Sequence, residues 1–232
     1  MTYLYDLARA TLKVYERYAV EVVERYGFCP WARGARESNQ VALRVISSSD
    51  PDDFDESLRA LAELSEAPSG SDVALFIYPV LDLDRLGFED YARRLRRRAE
   101  QASPQLDSYA MAAFHPSARP DLSHPDRLVP YVRSSPDPTL QLLRNSALSR
   151  IKGLAQGTAF LDVSTLSVED FKALADPAPK PLRERIAEEN LTTVEQVGPA
   201  AIDATLADIA SEREALHEQL FARHGQRGPR RA

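Results

Sequence analysis

A single cysteine, Cys29, leaves this 232-residue chain unable to form an internal disulfide, as expected of a protein kept in a reducing cytoplasm. Glycine is scarce too, at nine residues. No Gly-rich phosphate loop, Gly-x-Ser-x-Gly elbow, His-Glu-x-x-His or Cys-x-x-Cys is present, which excludes the usual nucleotide cradles and implies no cofactor. No apolar stretch approaches the roughly 20 residues that a bilayer span requires, so no membrane partner is expected. The opening residues Met1 to Asp6 carry no basic leader followed by an apolar core, so no secretory signal is expected. The net charge of −6 disfavours duplex nucleic acid, because neutralising phosphates takes a cationic surface.

What remains is the composition of an ordinary globular protein, 44% apolar and 28% charged, which predicts one well-buried core. Leu4, Leu7, Ala8, Leu12, Tyr15, Ala19, Val22 and Tyr26 recur at helical spacing and predict a long amphipathic helix over 3–26, stopped by Gly27. Residues 41–46, 73–78 and 109–114 are short apolar runs that predict strands, with a weaker fourth at 158–163. Between them, residues 51–66 behind an Asp50 cap and residues 87–101 carry helical patterns. Strand and helix in alternation predict an α/β fold with a small, mostly parallel three- or four-stranded sheet flanked by helices. Residues 116–137 hold five prolines without periodicity and are expected to form a long ordered loop. Asp137-Pro138 suits the cap and first turn of a helix from 138 to about 150. The expected organisation is a core domain over 1–165, a helical C-terminal extension packed on it over 166–224, and a disordered tail over 225–232.

Three segments join a reactive or charged side chain to a proline that restricts the adjacent backbone: Gly27-Phe28-Cys29-Pro30-Trp31-Ala32, Ala113-Phe114-His115-Pro116, and Arg133-Ser134-Ser135-Pro136-Asp137-Pro138 leading into Leu142-Leu143-Arg144. In this order they resemble a bacterial family designated domain of unknown function 1415, whose members carry Cys-Pro-Phe-Ala, Phe-His-Pro, and Ser-Pro-Tyr-Pro running into Leu-Leu-Arg. Ile186-Ala187-Glu188-Glu189-Asn190, with Gly198 beyond, is similar to that family's closing element. The chain departs from the pattern at Trp31, Asp137, Gln141 and Asn145, and its arginine stands at Arg133, one position before the family's. The resemblance supports positions and implies no chemistry.

The chemistry must come from the residues. Cys29 follows a helix end and precedes Pro30, so it could cap a new short helix whose free N–H groups favour the thiolate; the alternative is a small apolar core residue. His115, at the C-terminal end of a predicted strand, sits where open α/β sheets bind ligands, and could equally be tied up by loop backbone. Arg133 and Arg144, flanking Ser135 and the Asp137 helix start, would form an anion site or else structural ion pairs. His115, Asp121, His124 and Asp126 lie close in sequence, but their spacing matches no established zinc pattern. The arginines between 93 and 98 read as a solvated helix face.

The leading expectation is an enzyme acting on a small anionic substrate with Cys29 as nucleophile, His115 as acid or base, and Arg133, Arg144, Ser135 and Asp137 as the binding set. The rival is a non-catalytic anion- or partner-binding protein in which Cys29 is structural. A third reading makes the C-terminal helices a protein interface.

Overall fold

In the computed structural model, residues 2–66, 71–102, 109–147 and 180–225 are described. The predicted first helix runs as α1 (Tyr3–Tyr18) and widens into a π-helical turn over Ala19–Glu24. It ends at Gly27, whose φ of 67° lies in the left-handed region that glycine enters without strain. A short α2 (Ala32–Glu37) follows. Then come β1 (Val41–Val45), α3 (Asp55–Glu66), β2 (Val73–Ile77), α4 (Arg85–Ala102) and β3 (Tyr109–Phe114). The chain continues through α5 (Pro125–Val132), β4 (Thr139–Arg144), α6 (Leu182–Val197) and α7 (Pro199–His224).

The strands stand in the order β1-β2-β4-β3. β1 and β2 pair in parallel, while β4 runs antiparallel to both β2 and β3. Hence β1, β2 and β3 share one direction, joined through α3 and α4, and β4 fills the slot between β2 and β3. The α/β architecture expected from the alternation is present, with a helical C-terminal region.

Alternation along β2 sends side chains to two separate cores. Ala74, Phe76 and Tyr78 pack with Leu140 and Leu142 of β4 against Leu61 and Leu64 of α3 and Phe88, Tyr91 and Leu95 of α4. Leu75 and Ile77 face Val14, Tyr15 and Tyr18 of α1, Leu128 and Tyr131 of α5, Val194 of α6, and Ile202 and Ile209 of α7. In the first core Ser57 joins the hydroxyls of Tyr78 and Tyr91, each at 3.1 Å.

Three expectations are corrected. Residues 138–144 do not begin a helix: Leu140 and Leu142 both point into the first core, and β4 satisfies strands on each side of it, so tertiary pairing overrides the local cap signal. The proline-rich stretch is not all loop, because His124 caps α5, its Nδ1 accepting from the Asp126 N–H at 3.2 Å, with Pro125 in the first turn. α3 starts at Asp55, preceded by Asp50 and Asp53, whose carboxylates accept from the N–H groups of Asp52 and Asp55. The strand expected at 158–163 lies outside the described residues.

Antiparallel packing of α1 on α7 is laced by Asp6 with His224 at 3.0 Å, Lys13 with Glu212 at 2.7 Å, and Arg17 with Asp208 at 2.8 Å. Deeper, Arg213 of α7 donates to Asp137 at 2.5 Å and to the Pro79 carbonyl at 2.8 Å, and both charged side chains are buried. Replacing Arg213 with Ala strands that carboxylate in the interior. The variant should lose about 3 to 5 kcal/mol in urea unfolding, and a loss below about 1 kcal/mol would contradict this account.

Candidate active-site cleft

Two of the three proline-bearing segments meet at the C-terminal end of β3. His115 directly follows that strand, and its backbone N–H donates to the Arg133 carbonyl at 3.1 Å, where α5 ends. Beside this junction lies a cleft of about 50 Å³ lined by Arg85, Glu89, Ala113, His115, Val129, Pro130 and Arg133. It sits at the sheet edge where the sequence placed His115.

His115 is only 7% exposed. The Ser117 N–H donates to its Nδ1 at 3.2 Å, so Nδ1 is an acceptor, and the Leu83 carbonyl 2.9 Å from Nε2 requires that nitrogen to carry the proton. The Ser117 hydroxyl lies 2.8 Å from the same Nδ1. Both ring nitrogens are thus committed to the loops around them, and burial pushes the imidazole below its ordinary pKa, keeping it neutral. His115 forms a wall of the cleft and joins its loops.

Arg133 differs from its neighbours. Arg85 is engaged by Glu89 one helical turn away. The Arg133 guanidinium is half-buried over the Phe114 ring, 5.6 Å from its centroid, and makes no ion pair among the described residues. Burial draws it below its ordinary value, with the Tyr18 phenol acting in the opposite sense. A guanidinium remains charged in such a setting.

The third segment stands apart. Cys29 does not line the cleft. It occupies the turn between Gly27 and α2, where the Ala32 N–H donates to the Cys29 carbonyl at 3.1 Å. The expected helix start at Pro30 is displaced to Ala32, so Cys29 is not the cap residue. The N–H groups of Trp31 and Ala32 do favour its thiolate, but burial outweighs them and the thiol lies above its ordinary value, opposite to the lowering expected. Asn190 of α6 holds this turn through the Phe28 carbonyl at 3.4 Å, and Glu24, bound by Arg36 at 2.6 Å, anchors α2 to the π-helical turn.

Arg144 ends β4, while the cleft adjoins the end at which β4 begins. Five residue steps of strand, roughly 17 Å, separate the two ends. Arg144 lies over Tyr109 at 5.2 Å and donates to the Leu64 carbonyl at 3.3 Å. Asp137 is matched by Arg213, and Ser135 donates to the Asp137 carbonyl at 2.6 Å, so both are engaged in shaping the loop. Asp137 heads no helix, so the expected anion site at such a start is not formed. His124 is spent on capping α5, and among the described residues no group of three or more His, Cys, Asp or Glu side chains gathers as a metal would require.

Sequence reasoning missed Tyr18, Glu24 and Arg213. None of the three was singled out by spacing or motif; Asn190, which holds the Cys29 turn, did carry a signal, in the closing element.

Two measurements check these environments. Iodoacetamide should label Cys29 slowly near neutral pH, with a midpoint above that of a free thiol; a midpoint below it would reverse the assignment. In NMR titration His115 should protonate below the ordinary imidazole value of 6.5. Because the unfolded chain then binds the proton first, stability relative to a His115→Gln variant should fall as pH drops through 6.5, and level off below the folded value.

No helix among the described residues is long and apolar enough to cross a membrane. No curated protein and no solved structure matches the chain. Residues 11–159, the span that carries all three proline-bearing segments and the whole sheet, match a family described as a protein of unknown function, DUF1415. The chain belongs to that family.

Proposed function

We propose that this protein binds a small anion reversibly in the cleft between β3 and α5, with Arg133 as its cation and Cys29 in a structural role. The carrying observation is the half-buried Arg133 guanidinium, which has no carboxylate partner among the described residues and opens on the same cleft as His115. A buried charge lacking a counter-charge is costly, and an anionic ligand would relieve that cost. The free thiol fits a cytoplasmic setting.

A covalent reading, with Cys29 as nucleophile and His115 as acid or base, draws support from the Trp31 and Ala32 N–H groups near the sulfur. Its difficulty is that His115 has both nitrogens engaged elsewhere.

Titration with acetate and with phosphate at constant ionic strength, followed through the His115 and Arg133 resonances, tests the proposal. At least one anion should shift both residues saturably, and Arg133→Gln should weaken that binding about tenfold or more. Cys29→Ala should leave it unchanged. Binding that persists in Arg133→Gln, or vanishes in Cys29→Ala with the fold retained, would overturn it.

A further inference from the structure

Among the described residues that line the cleft, Glu89 carries the one carboxylate, in company with two guanidinium groups, Arg85 and Arg133. It stands one helical turn from Arg85 on α4 and accepts a hydrogen bond from that guanidinium. With side chains 35% and 42% exposed, such a pair adds little to stability. Its charges nevertheless bear on whatever enters the cleft.

Arg85 and Glu89 cancel one another. His115 adds no charge, because its Nδ1 accepts from the Ser117 N–H and its Nε2 donates to the Leu83 carbonyl. Asp84, the neighbouring carboxylate, does not line the cleft and accepts from the Gly87 N–H at 2.6 Å where α4 begins. Arg133 is therefore the uncompensated charge, and Ala113, Val129 and Pro130 complete an otherwise apolar wall. At about 50 Å³ the cleft is small enough that a bound anion lies within one Debye length, about 10 Å at 0.1 M salt, of each charge that lines it.

The cost of desolvating an ion rises with the square of its charge, whereas its attraction to a single cation rises only in proportion. Arg133 alone thus serves a monoanion better than a dianion. A dianion would need a second cation, and Arg85 is the one at hand.

We propose that Glu89 is the specificity-determining residue of the cleft: by holding Arg85 in an ion pair it leaves one net positive charge, so that the site takes singly charged anions and rejects doubly charged ones. This rests on the anion-binding reading above and adds to it the charge class of the ligand and the residue that sets it.

Methyl sulfate and methyl phosphate share a tetrahedral shape and differ in charge at about pH 8, where the phosphate monoester is dianionic. Both are titrated at low, constant ionic strength, followed through the His115 and Arg133 resonances. Methyl sulfate should bind the wild-type protein about fivefold or more tightly than methyl phosphate. Glu89→Gln releases Arg85 and should move the affinity ratio about tenfold toward methyl phosphate, a change that a merely structural ion pair would not produce. Arg85→Gln, which leaves the Glu89 charge unopposed, should weaken both anions and methyl phosphate the more. Equal or tighter binding of methyl phosphate by the wild-type protein overturns the charge class while leaving anion binding intact. An unchanged ratio in a folded Glu89→Gln variant overturns the role of Glu89, as does an Arg85→Gln variant that binds methyl phosphate undiminished. Binding of neither anion to the wild-type protein removes the underlying reading and this one with it.

Discussion

The carboxylate of Asp137 is 2% exposed, and much of the architecture around the cleft follows from how that charge is met. A carboxylate so deep needs a counter-charge and directed hydrogen bonds, and Arg213 supplies both through a fork that also reaches the Pro79 carbonyl. Three distant parts of the chain are thereby joined: the loop after β2, the loop that leads into β4, and the last helix. The match in sign and geometry sets where α7 lies across the sheet. Its position in turn brings Ile202 and Ile209 onto the second core and its acidic face onto Arg17 and Lys13 of α1.

The same junction explains the difference between the two faces of the sheet. On one side α3 and α4 cover β2 and β4 with large aromatic and aliphatic side chains, and the hydroxyls there are met, those of Ser57, Tyr78 and Tyr91 by one another and that of Tyr109 by the Leu64 carbonyl. On the other, helices from both ends of the chain meet, and buried polar groups remain: Thr11, Tyr18 and Ser134 each keep a hydroxyl without a partner among the described residues. A core assembled from chain-distant helices leaves such groups where loops and helix ends converge. The candidate cleft opens beside that convergence, with Arg133 at the end of α5.

Much of the fold was legible in the amino-acid order. α1, α3 and α4 announced themselves through helical periodicity, β1 to β3 through short apolar runs, and the stop at Gly27 through the one residue type that enters a left-handed turn freely. β4 was not legible. Thr139 to Arg144 follows a sound helix cap, and only the open slot between β2 and β3 makes an extended conformation the better choice. Of the candidate site, His115 and Arg133 were identifiable from their segments and do adjoin in space, whereas Arg144 was carried to the far end of the same strand by the extended form that periodicity missed.

The sequence by itself determined the fold class, the alternation of strand and helix, the family, and the positions at which prolines stiffen the chain, because these depend on neighbours a few residues apart. Tertiary structure alone decided which charges are matched. Asp137 found Arg213 some 76 positions away, Cys29 was left outside the lining of the cleft that holds His115, and Arg133 was laid over the Phe114 ring with no carboxylate partner among the described residues. Charge balance and desolvation depend on distance through space and on the exclusion of water, and neither is written in the spacing of residues along a chain.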